Sequence, residues 1–175
     1  MQLNEQNLKT LKHSKTYVTV LPDSLEILAV ARISLKCPPL NYLPIDDYFD
    51  LDYDKIAKDF QFTPDAIFEW NRGVSNQALF KKSGFDFYEI DKALFHTLKY
   101  ILRYTCKQNS LVVGATTRIV QRYLRKTVGT PWKELGSAKF TNNNYRYPVA
   151  YTTRDYLQYL KQNLPEKYKI IFEST

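Results

Sequence analysis

Along the 175-residue chain, short β-branched or aromatic runs alternate with stretches whose apolar positions recur at helical spacing. Thr16–Leu21 (TYVTVL) and Leu25–Leu35 (LEILAVARISL) are extended runs around Pro22, Asp23 and Ser24, which predicts an antiparallel hairpin. Pro38 and Pro39 stop the second run, because proline cannot donate to a strand ladder. Ala66–Val74 (AIFEWNRGV) is a third candidate strand, and the wholly apolar Leu111–Ala115 (LVVGA) fits a buried central one.

Helical spacing supplies the other elements. Residues 2–12 predict a short helix with Leu3, Leu8 and Leu11 inward, and Tyr53–Phe60 another with a solvated acidic face. Asp86, with Glu89 three residues on, caps a strong helix in which Phe87, Ile90, Leu94, Leu98, Ile101 and Leu102 repeat to about Cys106. Thr116 or Thr117 caps the next, with Ile119, Val120, Tyr123 and Leu124 on its apolar side and Gly129 at its end. Asn142, Asn143 and Asn144 mark a turn between two strands. Thr153 then caps a helix with Tyr156, Leu157, Leu160 and Leu164 inward, and Lys167–Phe172 (KYKIIF) reads as a closing strand. The order implies a single α/β domain over residues 1–175. Its mixed sheet is antiparallel at first and locally parallel around the Glu69 and Val112 strands.

Composition narrows the function classes. Hydrophobic residues at 44% and aromatics at 15% support a packed core and exclude a disordered chain. No apolar run reaches the roughly 18 residues that span a bilayer, and the N-terminal residues lack the apolar core of a secretory signal. A cytoplasmic protein without a membrane span is the expectation. Cys37 and Cys106 form neither a disulfide framework nor a metal spacing. Charge is uneven: residues 1–100 carry 12 Lys/Arg against 14 Asp/Glu, residues 101–175 carry 13 against 4. A cationic surface of that size suits a polyanion or an acidic protein, although solubility alone is the plainer reading.

No catalytic signature of the nucleotide-loop, serine-elbow or zinc-helix type is present. His13 and His96 have no metal-like companions. Asp50, Asp52 and Asp54 resemble the start of a calcium loop, but Lys55 and Gln61 occupy the positions that need glycine and glutamate. Two features remain. Glu69 and Arg72 are spaced E-x-x-R, with Arg32 on the hairpin. In a regular strand Glu69 and Arg72 point to opposite faces unless a bulge intervenes, and the plain alternative is a strand-edge ion pair. Arg118, Arg122 and Arg125 form one cationic helical stripe, extended by Lys126 and Lys133. That stripe could dock an acidic carrier protein or nucleic acid, the latter with Tyr145, Tyr147 and Tyr151 available for stacking.

From about Thr16 to Tyr159 the sequence resembles the GNAT-fold acyl-homoserine-lactone (autoinducer) synthases and N-acyl amino acid synthases. VARIS with Arg32, LPIDDYF, EWNRGV, LVVGATTRIVQRYLRKTVGTPWKELG and NYRYPVAY occur in the order of that family's segments. The resemblance implies a GNAT-like mixed sheet with helices on both faces. It also implies transfer of a fatty acyl group from an acyl-carrier-protein thioester to the amine of an amino acid or related small molecule. In that reading Glu69 assists deprotonation of the amine, and Arg72 and Arg32 hold the glutamate. Thr116 and Thr117 line the acyl or acceptor pocket, and backbone amides of Val74, Ser75 and Asn76 serve the oxyanion. Arg118, Arg122, Arg125 and Lys126 receive the carrier protein. Amine attack on a thioester needs no protein nucleophile, and no bound cofactor or metal is expected.

Departures from the family refine these expectations. Only residues 1–15 precede the hairpin, which implies a shortened N-terminal part or a subunit completed by a partner. The Trp and paired Asp residues that serve S-adenosylmethionine in the lactone synthases have no counterparts. The usual coenzyme A loop is also missing, so acyl-carrier protein is the expected co-substrate ahead of acyl-CoA.

Overall fold

The computed structural model describes residues 13–20, 25–36, 41–75, 78, 87–141 and 143–173. The predicted helix over 2–12, the Pro22–Ser24 turn, Pro38 and Pro39, and the Asp86 cap lie outside these residues. The strands, in chain order, are β1 (Ser14–Val20), β2 (Ile27–Lys36), β3 (Ala66–Ser75), β4 (Ser110–Thr116), β5 (Lys133–Glu134), β6 (Lys139–Thr141) and β7 (Asn144–Thr152). The helices are α1 (Tyr53–Asp59), α2 (Phe87–Thr105), α3 (Arg118–Val128), α4 (Thr153–Asn163) and the short α5 (Pro165–Tyr168). A single 3-10 turn covers Pro44–Asp47.

The strands lie in the order β1-β2-β3-β4-β7-β5, with β6 paired to β7. β1, β2 and β3 are antiparallel neighbours, β3 and β4 are parallel, and β7 is antiparallel to β4. This is the mixed sheet that the order of elements implied, parallel where Glu69 and Val112 sit. β5, a two-residue strand, was not foreseen.

Period-two alternation gives the sheet two buried faces. Ala31, Ile33, Phe68, Val112, Val149 and Tyr151 face one core, closed by Leu98, Ile101 and Leu102 of α2, Val128 of α3 and Tyr156 and Leu160 of α4. Leu111, Val113 and Ala150 face the other, closed by Leu43, Ile45 and Phe49 with Tyr53 and Ile56 of α1. Helices therefore cover both faces, and no helix among the described residues is long and apolar enough to cross a membrane.

Caps explain where the helices start and stop. Asp52, a member of the calcium-like run, accepts the Lys55 N–H and begins α1. Thr117 accepts the Val120 N–H to start α3, and Gly129 at φ 77° ends it with N–H bonds to the Leu124 and Arg125 carbonyls. Two expectations fail by rotation or shift. The cap of α4 is Thr152, whose hydroxyl accepts from Asp155 N–H. Thr153, one residue on, is buried and bonded to Ser110 N–H and the Gln108 carbonyl. On α3, Ile119 is 79% exposed and Val120 43%, while Gln121 and Val128 are buried.

The predicted closing strand is helical. Lys169–Glu173 forms a π-helical turn after α5. Ile171 is fully buried, and the Arg103 Nε–H donates to its carbonyl. Tyr168 and Phe172 pack against the same core, their ring centroids 5.2 Å apart. Tyr168, Ile171 and Phe172 share a helix face, which a strand cannot arrange.

A Cβ at Gly129 would stand 2.7 Å from Leu160 Cδ2 and 3.0 Å from Leu164 Cδ1, on a left-handed backbone. Gly129→Ala should therefore lower stability by about 1–3 kcal/mol in urea denaturation. Unchanged stability would contradict the packing of α3 on α4.

Candidate active site

The site is built where β3 and β4 part. Their parallel pairing runs from Ala66↔Ser110 to Glu69↔Val113 and stops, although both strands continue. β3 also carries a bulge against β2: Ala31 pairs with Gly73 and Arg32 with Asn71, which leaves Arg72 as the extra residue. The backbone thus has the irregularity that an E-x-x-R pair on one strand called for. The side chains of Arg72, Val74 and Ser75, and the whole of Asn76, lie outside the described residues.

Glu69 sits on an interior strand, away from a sheet edge, and is 4% exposed. Its Oε2 accepts the Ile45 N–H at 2.9 Å, from the 3-10 turn that covers this face of the sheet. Burial pushes its pKa up to about 7; the Ile45 N–H and Asn71 oppose that shift, nearby Asp46 adds to it, and Arg32 works against it. A carboxyl in this range exchanges its proton at neutral pH, as a general base must.

Arg32 bonds to Asn71 beside the carboxylate. Its Nε–H donates to Asn71 Oδ1 at 2.7 Å, Asn71 Nδ2–H donates to Ser34 Oγ at 3.0 Å, and Ser34 and Ser14 hydroxyls are 2.7 Å apart. The turn itself is fixed by Asp46, which accepts from Leu43 N–H at 2.9 Å and from the Tyr53 hydroxyl at 2.5 Å. Burial, and next the bond to Asp46, raise the Tyr53 hydroxyl far above the usual phenol range; burial and a bond to Asp47 do the same for Tyr42. Both phenols stay protonated donors. Sequence reasoning missed Asn71, Ser34, Ile45 and Tyr53. Two of them were within reach of alternation, since Asn71 shares a face with Glu69 and Ser34 with Arg32.

On the other face lies a cavity of about 380 Å³, lined by Trp70 of β3, Leu98 of α2, Gly114 and Thr116 of β4, Thr117, and Trp132 among others. Trp70 and Trp132 face each other with ring centroids 5.9 Å apart, and Tyr151 meets Trp132 edge-on at 4.6 Å. The Trp132 Nε1–H is buried without a hydrogen-bond partner among the described residues. A Cβ at Gly114 would lie 3.3 Å from the Trp70 carbonyl oxygen, so glycine keeps the strands close and the cavity open. Thr116 and Thr117 line this cavity, on the face opposite Glu69.

The cationic stripe is on the surface of α3. Arg118 pairs with Glu134 at 3.2 Å and lies over the Tyr147 ring at 4.5 Å, while Arg122, Arg125 and Lys126 are exposed. Tyr151 is fully buried and cannot stack on a base, which removes one of the three rings the nucleic-acid reading needs. Burial pushes the Cys106 thiol up to about 12, so it is no nucleophile at neutral pH. No cluster of three or more possible metal ligands occurs among the described residues.

Neither a protein-family model nor a curated protein matches the chain by sequence. Solved structures do match by shape. FeeM, an N-acyl amino acid synthase from uncultured soil microbes, aligns over 92% of this chain and 81% of its own at a TM-score of 0.62 and 11% identity. The chain shares FeeM's fold. BjaI, a CoA-dependent acyl-homoserine lactone synthase solved with SAM and isopentyl-CoA, aligns over 93% of this chain and 66% of its own, at a TM-score of 0.57 and 11% identity. The GNAT-like architecture implied by the order of short motifs is therefore the one this chain adopts.

Glu69 holds its proton in the folded state to about pH 7 and loses it near pH 4.5 once unfolded. The fold therefore loses stability as pH rises from about 4.5 to 7, on the order of 3 kcal/mol from this group. Glu69→Gln should flatten that decline in denaturant titrations between pH 5 and 8. A variant whose stability falls with pH as steeply as the wild type would contradict the burial assigned to Glu69.

Proposed function

We propose that this protein is an N-acyltransferase that moves a fatty acyl group from a thioester donor to a small amine, with an amino acid or related molecule as acceptor. The observation that carries the reading is Glu69, a buried carboxyl with a pKa near 7 at the last paired position before β3 and β4 diverge. The fold shared with FeeM and BjaI supports it.

The acceptor enters on the face of Glu69, and the acyl chain lies in the cavity between Trp70 and Trp132. The two meet in the gap between the strands. The amine nitrogen attacks the thioester carbonyl while Glu69 takes its proton, directly or through one water. The C–N bond forms, the C–S bond breaks, and the sulfur leaves as a thiol after accepting a proton. No protein nucleophile is needed, because holding amine and thioester together supplies much of the rate. Past Glu69 no strand pairs with the β4-facing edge of β3 among the described residues, so the amides near Val74 and Ser75 are candidates for the oxyanion. Arg32 is a positioning residue that acts through Asn71. The donor is an acyl-carrier-protein or coenzyme A thioester.

The experiment is intact-mass analysis of acyl-carrier-protein and coenzyme A thioesters incubated with the protein and pooled amines. Loss of the acyl mass from one donor, with a matching amide, is expected; donors that stay loaded at every chain length would overturn the reading. Glu69→Gln should cut turnover by about a hundredfold or more, and wild-type kcat/KM should rise with pH to a plateau above about 7. Gly114→Val, which places extra carbons between Trp70 and Trp132, should shift donor preference toward shorter acyl chains. An unchanged preference would remove the acyl chain from this cavity.

A further inference from the structure

Next in sequence to the lining residues Val120 and Arg146 stand exposed side chains that the reaction does not use. Ile119 is 79% exposed on the first turn of α3, beside Val120, which lines the cavity. Phe140 and Tyr145, paired across the β6–β7 hairpin, are 63% and 65% exposed and touch edge to face with centroids 5.2 Å apart. Tyr145 shares a strand face with Tyr147, and the Tyr147 ring carries the Arg118 guanidinium. Ile119, Arg118, Tyr147, Tyr145 and Phe140 therefore form one continuous surface from helix to hairpin.

Its charge is one-sided. Between residues 92 and 154 the only acidic residue is Glu134, already paired with Arg118. Arg122, Arg125 and Lys126 extend the positive field along α3, and Arg146 of the hairpin lines the cavity.

We propose that this surface seats the protein on an anionic lipid bilayer, with Ile119, Phe140 and Tyr145 in the headgroup–acyl boundary and the arginines on the phosphates. Exposed aromatic and aliphatic side chains protruding from two elements, flanked by arginine and lysine, are the composition of an interfacial surface. Each basic group near such a surface adds attraction that salt weakens. The placement also suits the reaction: an N-acyl product is an amphiphile, and a cavity mouth against the bilayer releases its chain into lipid rather than water. That reason rests on the proposed acyl transfer, whereas the surface and its charge do not.

The test is co-sedimentation of the full chain with phosphatidylcholine vesicles, with and without phosphatidylglycerol, at low and physiological salt. Partition to the anionic vesicles, falling with salt, is expected. The triple variant Ile119→Ser, Phe140→Ser, Tyr145→Ser should reduce it by about tenfold or more, with circular dichroism confirming that the variant is folded. Each single variant gives a smaller loss and keeps the test usable if the triple variant unfolds. Absent partition to anionic vesicles overturns the proposal, as does partition that ignores the apolar substitutions. An acidic carrier protein bound through these same three side chains, with vesicles left unbound, would make the surface a protein-docking site instead. Acyl transfer from a water-soluble thioester, assayed without vesicles, separates the two readings: vesicle binding without turnover sinks the enzyme reading alone, and turnover without vesicle binding sinks this one.

Discussion

Pairing between β3 and β4 lasts for four residues on each strand, and the arrangement of the site follows from where it ends. Parallel strands held by slanted bonds normally continue as far as their lengths allow. Here the bulge at Arg72 re-aims β3 beyond Glu69, while Gly114 lets β4 keep its approach to the Trp70 carbonyl without a side chain in between. The parting leaves a cavity on one face and brings a buried carboxyl to the gap from the other.

Keeping a carboxyl at that point requires a covering layer that is mostly apolar yet supplies a donor. The 3-10 turn does both: Ile45 is fully buried over the sheet, and its N–H holds Glu69. The turn depends in turn on Asp46, anchored by Leu43 N–H and the Tyr53 hydroxyl of α1. LPIDDYF is therefore a structural unit whose proline, aspartate and apolar residues each hold the glutamate's environment in place. Desolvation exceeds the compensation, and the carboxyl is left in the neutral range.

Much of this was legible in the sequence. The β2 and β3 runs, the apolar LVVGA strand and the Thr117 and Gly129 ends of α3 carry strong local signals, and all are observed. Glu69 stood out through its E-x-x-R spacing with Arg72 on a candidate strand. Its partners did not, because Ile45 acts through a backbone N–H that leaves no trace in composition. KYKIIF misled for a different reason: β-branched and aromatic residues favour strands, but Arg103 of α2 and the shared face of Tyr168, Ile171 and Phe172 hold it helical. Ile119 and Val120 misled because apolarity was equated with burial, whereas α3 turns Gln121 and Val128 inward and leaves its first turn beside the cavity mouth.

Direct observation of the Glu69 carboxyl bears most closely on this account. Carbon-13 detection of its side-chain carbonyl across pH 3 to 9, assigned by comparison with Glu69→Gln, reads the proton occupancy of that one group. A titration midpoint near 7, well above those of the exposed glutamates, is the result the account predicts. A midpoint in the ordinary glutamate range near 4.5 would mean that water reaches Glu69 freely, and the buried base on which the site is built would not exist.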